Sequence, residues 1–223
     1  MTWTLKEFDV VFSTNTTALD YPPFTVVLAQ RQLSGRGRMG RVWQSPVGNL
    51  YVSFVFPKTK TPPAFLSFLL GISVVQTLHK PVALKWPNDI LLQGKKCGGI
   101  LLEQGDDKII AGLGLNLVSC PKSGIMYPVA HLNYSETPVI FTKKLLNNIE
   151  KNYELLETKG FPALRRIWLS YAYGLKGPVK AVLPNKELTG IFYDLTPNGE
   201  LVLITPDKKK HLISCGDVFF GKP

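Results

Sequence analysis

The stretch Gln32-Leu33-Ser34-Gly35-Arg36-Gly37-Arg38-Met39-Gly40-Arg41-Val42-Trp43 decides how the rest of the chain is read. Gly35, Gly37 and Gly40 satisfy the pattern GxGxxG, which in a dinucleotide-binding fold opens a helix and is followed by an acid about 20 residues on. Here Val42-Trp43-Gln44-Ser45-Pro46 follows, which starts no helix, and residues 55–62 contain no acid. The doubly wound nucleotide fold is therefore rejected. What remains is a loop whose glycines let a ligand approach the backbone and whose arginines offer permanent charge and forked donors. Arg31, Arg36, Arg38 and Arg41 repel one another, so the loop is expected to be mobile without an anion and ordered with one. On charge alone, a solvated basic loop and an RNA-binding loop with Trp43 and Tyr51 as stacking surfaces fit as well.

Outward from this loop, residues 3–12, 25–30 and 50–56 read as strands, the last alternating and rich in β-formers. Residues 64–79 are too long for a normal strand and suit a buried helix. Strands are predicted at 82–86, 98–104 and 108–118. Phe141, Leu145, Leu146, Ile149, Tyr153 and Leu156 recur at helical spacing over 141–158, with Thr142 or a neighbour as cap, and a second helix runs from Pro162 to about Tyr173. Composition changes near Gly174–Pro178. Short strands follow at 179–183, 187–195, 200–205 and 210–214, with Asn198-Gly199 as a tight type I′ turn. The chain thus divides into a main domain, 1–176, and a small β-barrel-like domain, 177–223, too small to stand apart from it.

The 223 residues, 45% of them apolar, suffice for one good core. The opening MTWTLKEFDVVF has neither the basic nor the apolar part of a secretory leader. The richest apolar stretch, Ala64 to Leu78, is interrupted by Ser67, Gly71, Ser73, Gln76 and Thr77, so no membrane span is expected. Cys97, Cys120 and Cys215 form no CxxC pair and the three histidines are scattered, which argues against a zinc cage and fits a reducing cytoplasm. A net charge of +10 favours anionic partners without choosing among them.

Three further segments carry chemistry. Lys85-Trp86-Pro87-Asn88-Asp89 ends a strand in a rigid turn whose lysine and aspartate could meet a nucleotide and its metal, although Pro-Asn-Asp is good turn chemistry by itself. Lys96 precedes Gly98-Gly99-Ile100-Leu101, where an ammonium can sit on developing negative charge; a surface lysine at a strand start reads the same way. Gly112-Leu113-Gly114-Leu115-Asn116 is a strand whose glycines mark close approach of a backbone or ligand, with Asn116 offering donor and acceptor.

In this order and spacing, GRGRxGRxW at Gly35–Trp43, KWPND at Lys85–Asp89, KxxGIL at Lys96–Leu101 and GxGxN at Gly112–Asn116 resemble the biotin protein ligase family, and Ser13-Thr14-Asn15, which alone reads as an ordinary helix cap, resembles its biotin-contacting turn. The likeness covers about residues 5–170, the terminal domain fitting loosely. It implies an α+β fold: a mixed sheet flanked by helices, similar to class II synthetases, with a small C-terminal SH3-like barrel. It also implies two half-reactions. Biotin is activated with ATP to biotinyl-5′-AMP, then passed to a lysine of a carrier, by family the biotin carboxyl carrier protein of acetyl-CoA carboxylase.

The same resemblance assigns Ser13, Thr14, Asn15, Gln32, Gly35, Arg36, Gly37, Arg38, Lys96 and Gly99 to biotin, with Lys96, Arg36 and Arg38 as the catalytic cations. ATP and the adenylate fall to Arg36, Arg38, Arg41, Trp43, Lys85, Asn88, Asp89 and Asn116, with Asp89 a candidate Mg²⁺ ligand. Because the signature begins by residue 13, no N-terminal DNA-binding domain is expected; a homodimer is compatible with the family. Residues 178–223 are left two roles, closing the ATP site or docking the carrier. Lipoate–protein ligase shares the general fold and adenylating chemistry, but the complete GRGRxGRxW and KWPND motifs favour biotin.

Overall fold

The computed structural model describes residues 2–121 and 127–220. Seven strands form one sheet in the order β1-β2-β3-β7-β6-β5-β4. These are β1 (Thr4–Val11), β2 (Thr25–Gln32), β3 (Leu50–Pro57), β4 (Val82–Lys85), β5 (Asp89–Leu92), β6 (Lys95–Gln104) and β7 (Lys108–Leu115). Only β1 and β2 pair in parallel, joined through the short helix α1 (Thr14–Ala18); every other ladder is antiparallel. The sheet is the mixed one expected. The short helix α1 has Ser13 at its N-cap position, in line with the helix-cap reading of Ser13-Thr14-Asn15, whereas β5 was not foreseen: it turns back directly after Lys85-Trp86-Pro87-Asn88 and pairs Asp89 with Lys85.

Alternation along the strands sorts side chains onto two faces. Val26, Leu28, Phe54, Phe56, Ile109 and Ala111 enter the main core, beneath α2 (Ala64–Leu78), α3 (Pro138–Lys159) and α4 (Phe161–Ser170). Val27, Val55 and Ile110 point the other way and are covered by Ala18 of α1. β3 is therefore buried on both faces rather than half-exposed, and α2, wedged between the sheet, α3 and α4, is buried around nearly its whole circumference. Helix α3 starts earlier than its spacing suggests: Thr137 caps it, accepting from the Ile140 N–H, while the Thr142 hydroxyl donates to the Pro138 carbonyl. Phe141, Leu145, Ile149, Tyr153 and Leu156 are buried as the period predicts.

Five antiparallel strands make the small SH3-like domain: β8 (Pro178–Leu183), β9 (Lys186–Leu195), β10 (Leu201–Ile204), β11 (Lys210–Ile213) and β12 (Asp217–Phe220), in the order β11-β10-β9-β8-β12. The β9–β10 turn is not the tight I′ form. The Thr196 N–H donates to Glu200 O and the Gly199 N–H to Thr196 O, so a three-residue loop closes with Gly199 alone at positive φ (82°). β12 was not foreseen. The two sheets share one continuous apolar cluster, and the indole N–H of Trp86 donates to the Gly199 carbonyl at 3.0 Å inside it. No helix among the described residues is long and apolar enough to cross a membrane.

Candidate active site

The site lies on the α1 side of the large sheet. Strand pairing places Ser53 beside Gly112, Gly112 beside Leu101, Gly114 beside Gly99 and Ile110 beside Glu103, all facing that side. Three of these are glycines, so bare backbone forms the floor. Neighbouring side chains already use part of that space: a Cβ at Gly112 would stand 2.2 Å from Asn15 Oδ1, and one at Gly114 2.5 Å from Trp43 Cε2. Above the floor is a cleft of about 830 Å³, its open mouth included. It brings together Ser13, Thr14, Asn15, Gln32, Arg36, Gly37, Arg38, Arg41, Trp43, Lys85, Asn88, Asp89, Lys96 and Gly99 from elements up to 86 residues apart.

One end of the cleft is a row of neutral hydrogen-bonding groups. Ser13 occupies the N-cap position of α1 but makes no capping bond with its hydroxyl, which stays at the cleft. Gln32 Oε1 accepts from the Thr14 N–H at 2.9 Å, and its Nε2 donates to Ser45 Oγ at 3.0 Å. Asn15 Nδ2 donates to Glu103 Oε2 at 2.6 Å, so its Oδ1 faces Ser53 Oγ at 2.6 Å. A serine hydroxyl has one proton. Ser53 gives it to Asn15, and its oxygen lies 2.8 Å from Thr14 Oγ1, which in turn lies 3.2 Å from Gln32 Oε1.

The other end is charged: five cations and two carboxylates line the cleft. The glycine–arginine loop is closed by its own backbone, Gly37 N–H to Arg41 O at 2.6 Å and Trp43 N–H to Gly35 O at 2.8 Å. Its arginines avoid one another by taking separate acceptors: Arg36 takes Glu103 at 3.0 Å, Arg38 the Asn88 Oδ1 at 3.1 Å, and Arg41 the Asp217 carboxylate. Asn88 is itself fixed by donating to Ile100 O at 2.7 Å. Lys96 Nζ rests on Asp89 Oδ1 at 2.6 Å, between the rings of Trp43 and Tyr127, while Lys85 Nζ lies 4.0 Å from the other oxygen of Asp89. Burial pulls the Lys85 pKa below the ordinary lysine value, and the Asp217 hydrogen bond raises that of Arg41. Burial pushes the Cys97 thiol up to about 12, so it is no nucleophile.

Two of the sequence-derived residues sit apart from the cleft lining. Gly35 lies under it, with no room for a Cβ between Trp43 O and the Gln32 amide. Asn116 is buried just past the end of β7, its Nδ2 on Ala130 O at 3.1 Å and its backbone on Cys97 and Leu132, where it fastens the segment that also pairs with Lys96. Ser53, Glu103, Tyr127 and Asp217 went unnoticed in the sequence. Each is an isolated polar residue outside any motif, and only the fold brings it to the site. The Trp43 ring covers Gly114 and Gly99, bracing the loop, and its buried Nε1 has no acceptor among the described residues.

A β-sheet floor, a neutral pocket and a basic end beneath an arginine loop define the class. Residues 8–117 match the biotin/lipoate A/B protein ligase family, and residues 178–221 match the biotin protein ligase C terminal domain. A biotin--[acetyl-CoA-carboxylase] ligase from Paracoccus denitrificans is 33% identical over 94% of this chain and 97% of its own length. The bifunctional ligase/repressor of Bacillus subtilis is 32% identical over 96% of this chain and 73% of its length. Among solved structures, the biotin protein ligase from Aquifex aeolicus in complex with biotin and ATP superposes with a TM-score of 0.88 at 28% identity, covering 98% of this chain and 99% of that one. The chain belongs to the biotin protein ligase family.

Proposed function

We propose that this chain activates biotin with ATP and transfers it to a lysine of a carrier protein. The carboxylate of biotin attacks the α-phosphate, forming biotinyl-5′-AMP and expelling pyrophosphate. The amine of the carrier lysine then attacks the anhydride carbonyl, and AMP leaves. The observation that carries this reading is the polarity of the cleft: a neutral, hydrogen-bonding end that suits a ureido head, and a basic end that suits a carboxylate approaching a polyphosphate.

Two anions must meet in the first step, so fixed positive charge and positioning are the main requirements. Lys96, whose ammonium lies 2.6 Å from Asp89 in the basic end of the cleft, bridges the biotin carboxylate and the α-phosphate in this reading. Arg36 and Arg38 close over the same junction, and Arg41 and Lys85 face the outer phosphates. Among the described residues no cluster of three or more His, Cys, Asp or Glu side chains could hold a metal. Asp89 with phosphate oxygens fits Mg²⁺ delivered on ATP, which takes few protein ligands and offsets phosphate charge. Ser13, Thr14, Asn15 and Gln32 fit the biotin head. The carrier is read as a biotin carboxyl carrier domain, and the match of residues 178–221 favours biotin over lipoate. Biotin-dependent exchange of pyrophosphate into ATP, followed by transfer of labelled biotin to a carrier domain, tests the proposal; exchange driven by lipoate and not by biotin would overturn it.

A further inference from the structure

Glu103 does not line the cleft, yet its one carboxylate touches the neutral end through Asn15 and the arginine loop through Arg36. Oε2 accepts from Asn15 Nδ2 at 2.6 Å, and Oε1 from Arg36 Nη2 at 3.0 Å. Asn15 stands on α1 and Arg36 on the glycine–arginine loop, 88 and 67 residues away in sequence. We propose that Glu103 is a positioning residue that sets the proton polarity of the biotin end and couples it to the arginine loop. This rests on the biotin reading above.

An ionised carboxylate can only accept. With Glu103 in place the Asn15 amide has one orientation, Nδ2 outward to the acid and Oδ1 inward to Ser53. Ser53 must then donate to Asn15, so a single negative charge outside the pocket decides which way the Asn15–Ser53 hydrogen bond runs. Without it the amide can turn over and present Nδ2 to Ser53, reversing that bond. Glu103 is also the acid that holds Arg36, so a ligand that orders Asn15 and a loop that closes through Arg36 draw on the same group.

The test compares Glu103→Gln and Glu103→Ala with the wild type in biotin-dependent pyrophosphate exchange. Glutamine keeps the size but can donate as well as accept, so it removes both the polarity and the charge. The KM for biotin is expected to rise about tenfold in both variants, as for loss of a charge-assisted contact, while the KM for ATP changes little. Biotin is also expected to lose its protective effect on the 35–41 loop against limited proteolysis. Asn15→Ala combined with Glu103→Gln should raise the biotin KM by less than the product of the single effects, because Glu103 acts through Asn15. Unchanged biotin KM and protection in folded Glu103→Gln, or strictly multiplicative effects in the double variant, would overturn the inference. If Glu103→Ala does not fold, Glu103→Gln alone decides. Absence of biotin-dependent exchange in the wild type would instead strike the functional reading itself.

Discussion

Arg41 and Asp217 form an ion pair that ties the glycine–arginine loop to β12, 176 residues further along the chain. Two weaker contacts run beside it: Arg38 Nη2 lies 3.5 Å from Gly216 O, and Lys85 Nζ lies over the Phe219 ring. The small domain therefore supplies part of the basic end. Both partners of the ion pair are partly exposed, so its loss should alter folding stability by no more than about 1 kcal/mol. Asp217→Ala is expected to raise the KM for ATP about fivefold, the equivalent of a similar energy, while sparing the KM for biotin. Exchange kinetics at varied ATP and at varied biotin check this; an unchanged ATP dependence would leave the pair without a part in nucleotide binding.

Lys96→Ala is expected to lower adenylate formation by about 10²–10³-fold, the usual effect of removing one group aimed at transition-state charge. Its ammonium is held by Asp89 and two rings at the cleft, not in the core, so the melting temperature should hold. Pyrophosphate release by the variant measures the effect, and a near-normal rate would rule out the bridging role.

Lys85 gives the site a pH signature. Its folded pKa is lowered by burial, so between that value and the ordinary 10.5 the unfolded chain binds the extra proton. Stability therefore rises with pH across this window, and the cost of burying the ammonium is present in full below it. A polyphosphate favours the charged form and should take up a proton on binding there. ATP affinity is expected to fall as pH climbs through the window, with the fall abolished in Lys85→Arg, whose guanidinium stays charged. Calorimetric titration in buffers of different ionisation enthalpy would detect the proton; no uptake would contradict the assignment.

Two glycines should fail for different reasons. At Gly114 a methyl group collides with the Trp43 ring, so Gly114→Ala is expected to cost about 1–3 kcal/mol and displace the loop even without ligand. At Gly37 a Cβ would meet nothing closer than 3.5 Å, so Gly37→Ala should fold with stability within about 0.5 kcal/mol of wild type. If the backbone there approaches the substrates as proposed, the same variant binds them poorly. Melting curves and exchange kinetics on both variants separate the cases, and a fully active Gly37→Ala would argue against ligand contact at that residue.

Local signals carried much of this architecture. The period of Phe141, Leu145, Ile149 and Tyr153 marked α3, and the motif order from Gly35 to Asn116 located the elements that meet at the cleft. Features that depend on long-range pairing were not legible. Asp89 looked like the end of a turn, whereas it opens β5, because only pairing with Gly99 of β6 makes a strand of four residues worthwhile. Glu103, Ser53 and Asp217 gained their significance from partners 38 to 176 residues away, which no local pattern encodes. Asn116 stood in a motif, yet its side chain was spent on Ala130, since a residue's neighbours across the fold decide which way its polar groups are used.

The buried bond from Trp86 to the Gly199 carbonyl has a consequence for how this chain could be cut or recombined. It anchors the centre of the KWPND turn in the hairpin of the small domain, within a core to which both sheets contribute. A chimaera that exchanged the C-terminal sheet for a foreign one would strand an indole N–H in apolar surroundings unless the graft brought a carbonyl to the same spot. Heating should accordingly melt both sheets in one cooperative transition, and inheritance should treat them as one mechanical part.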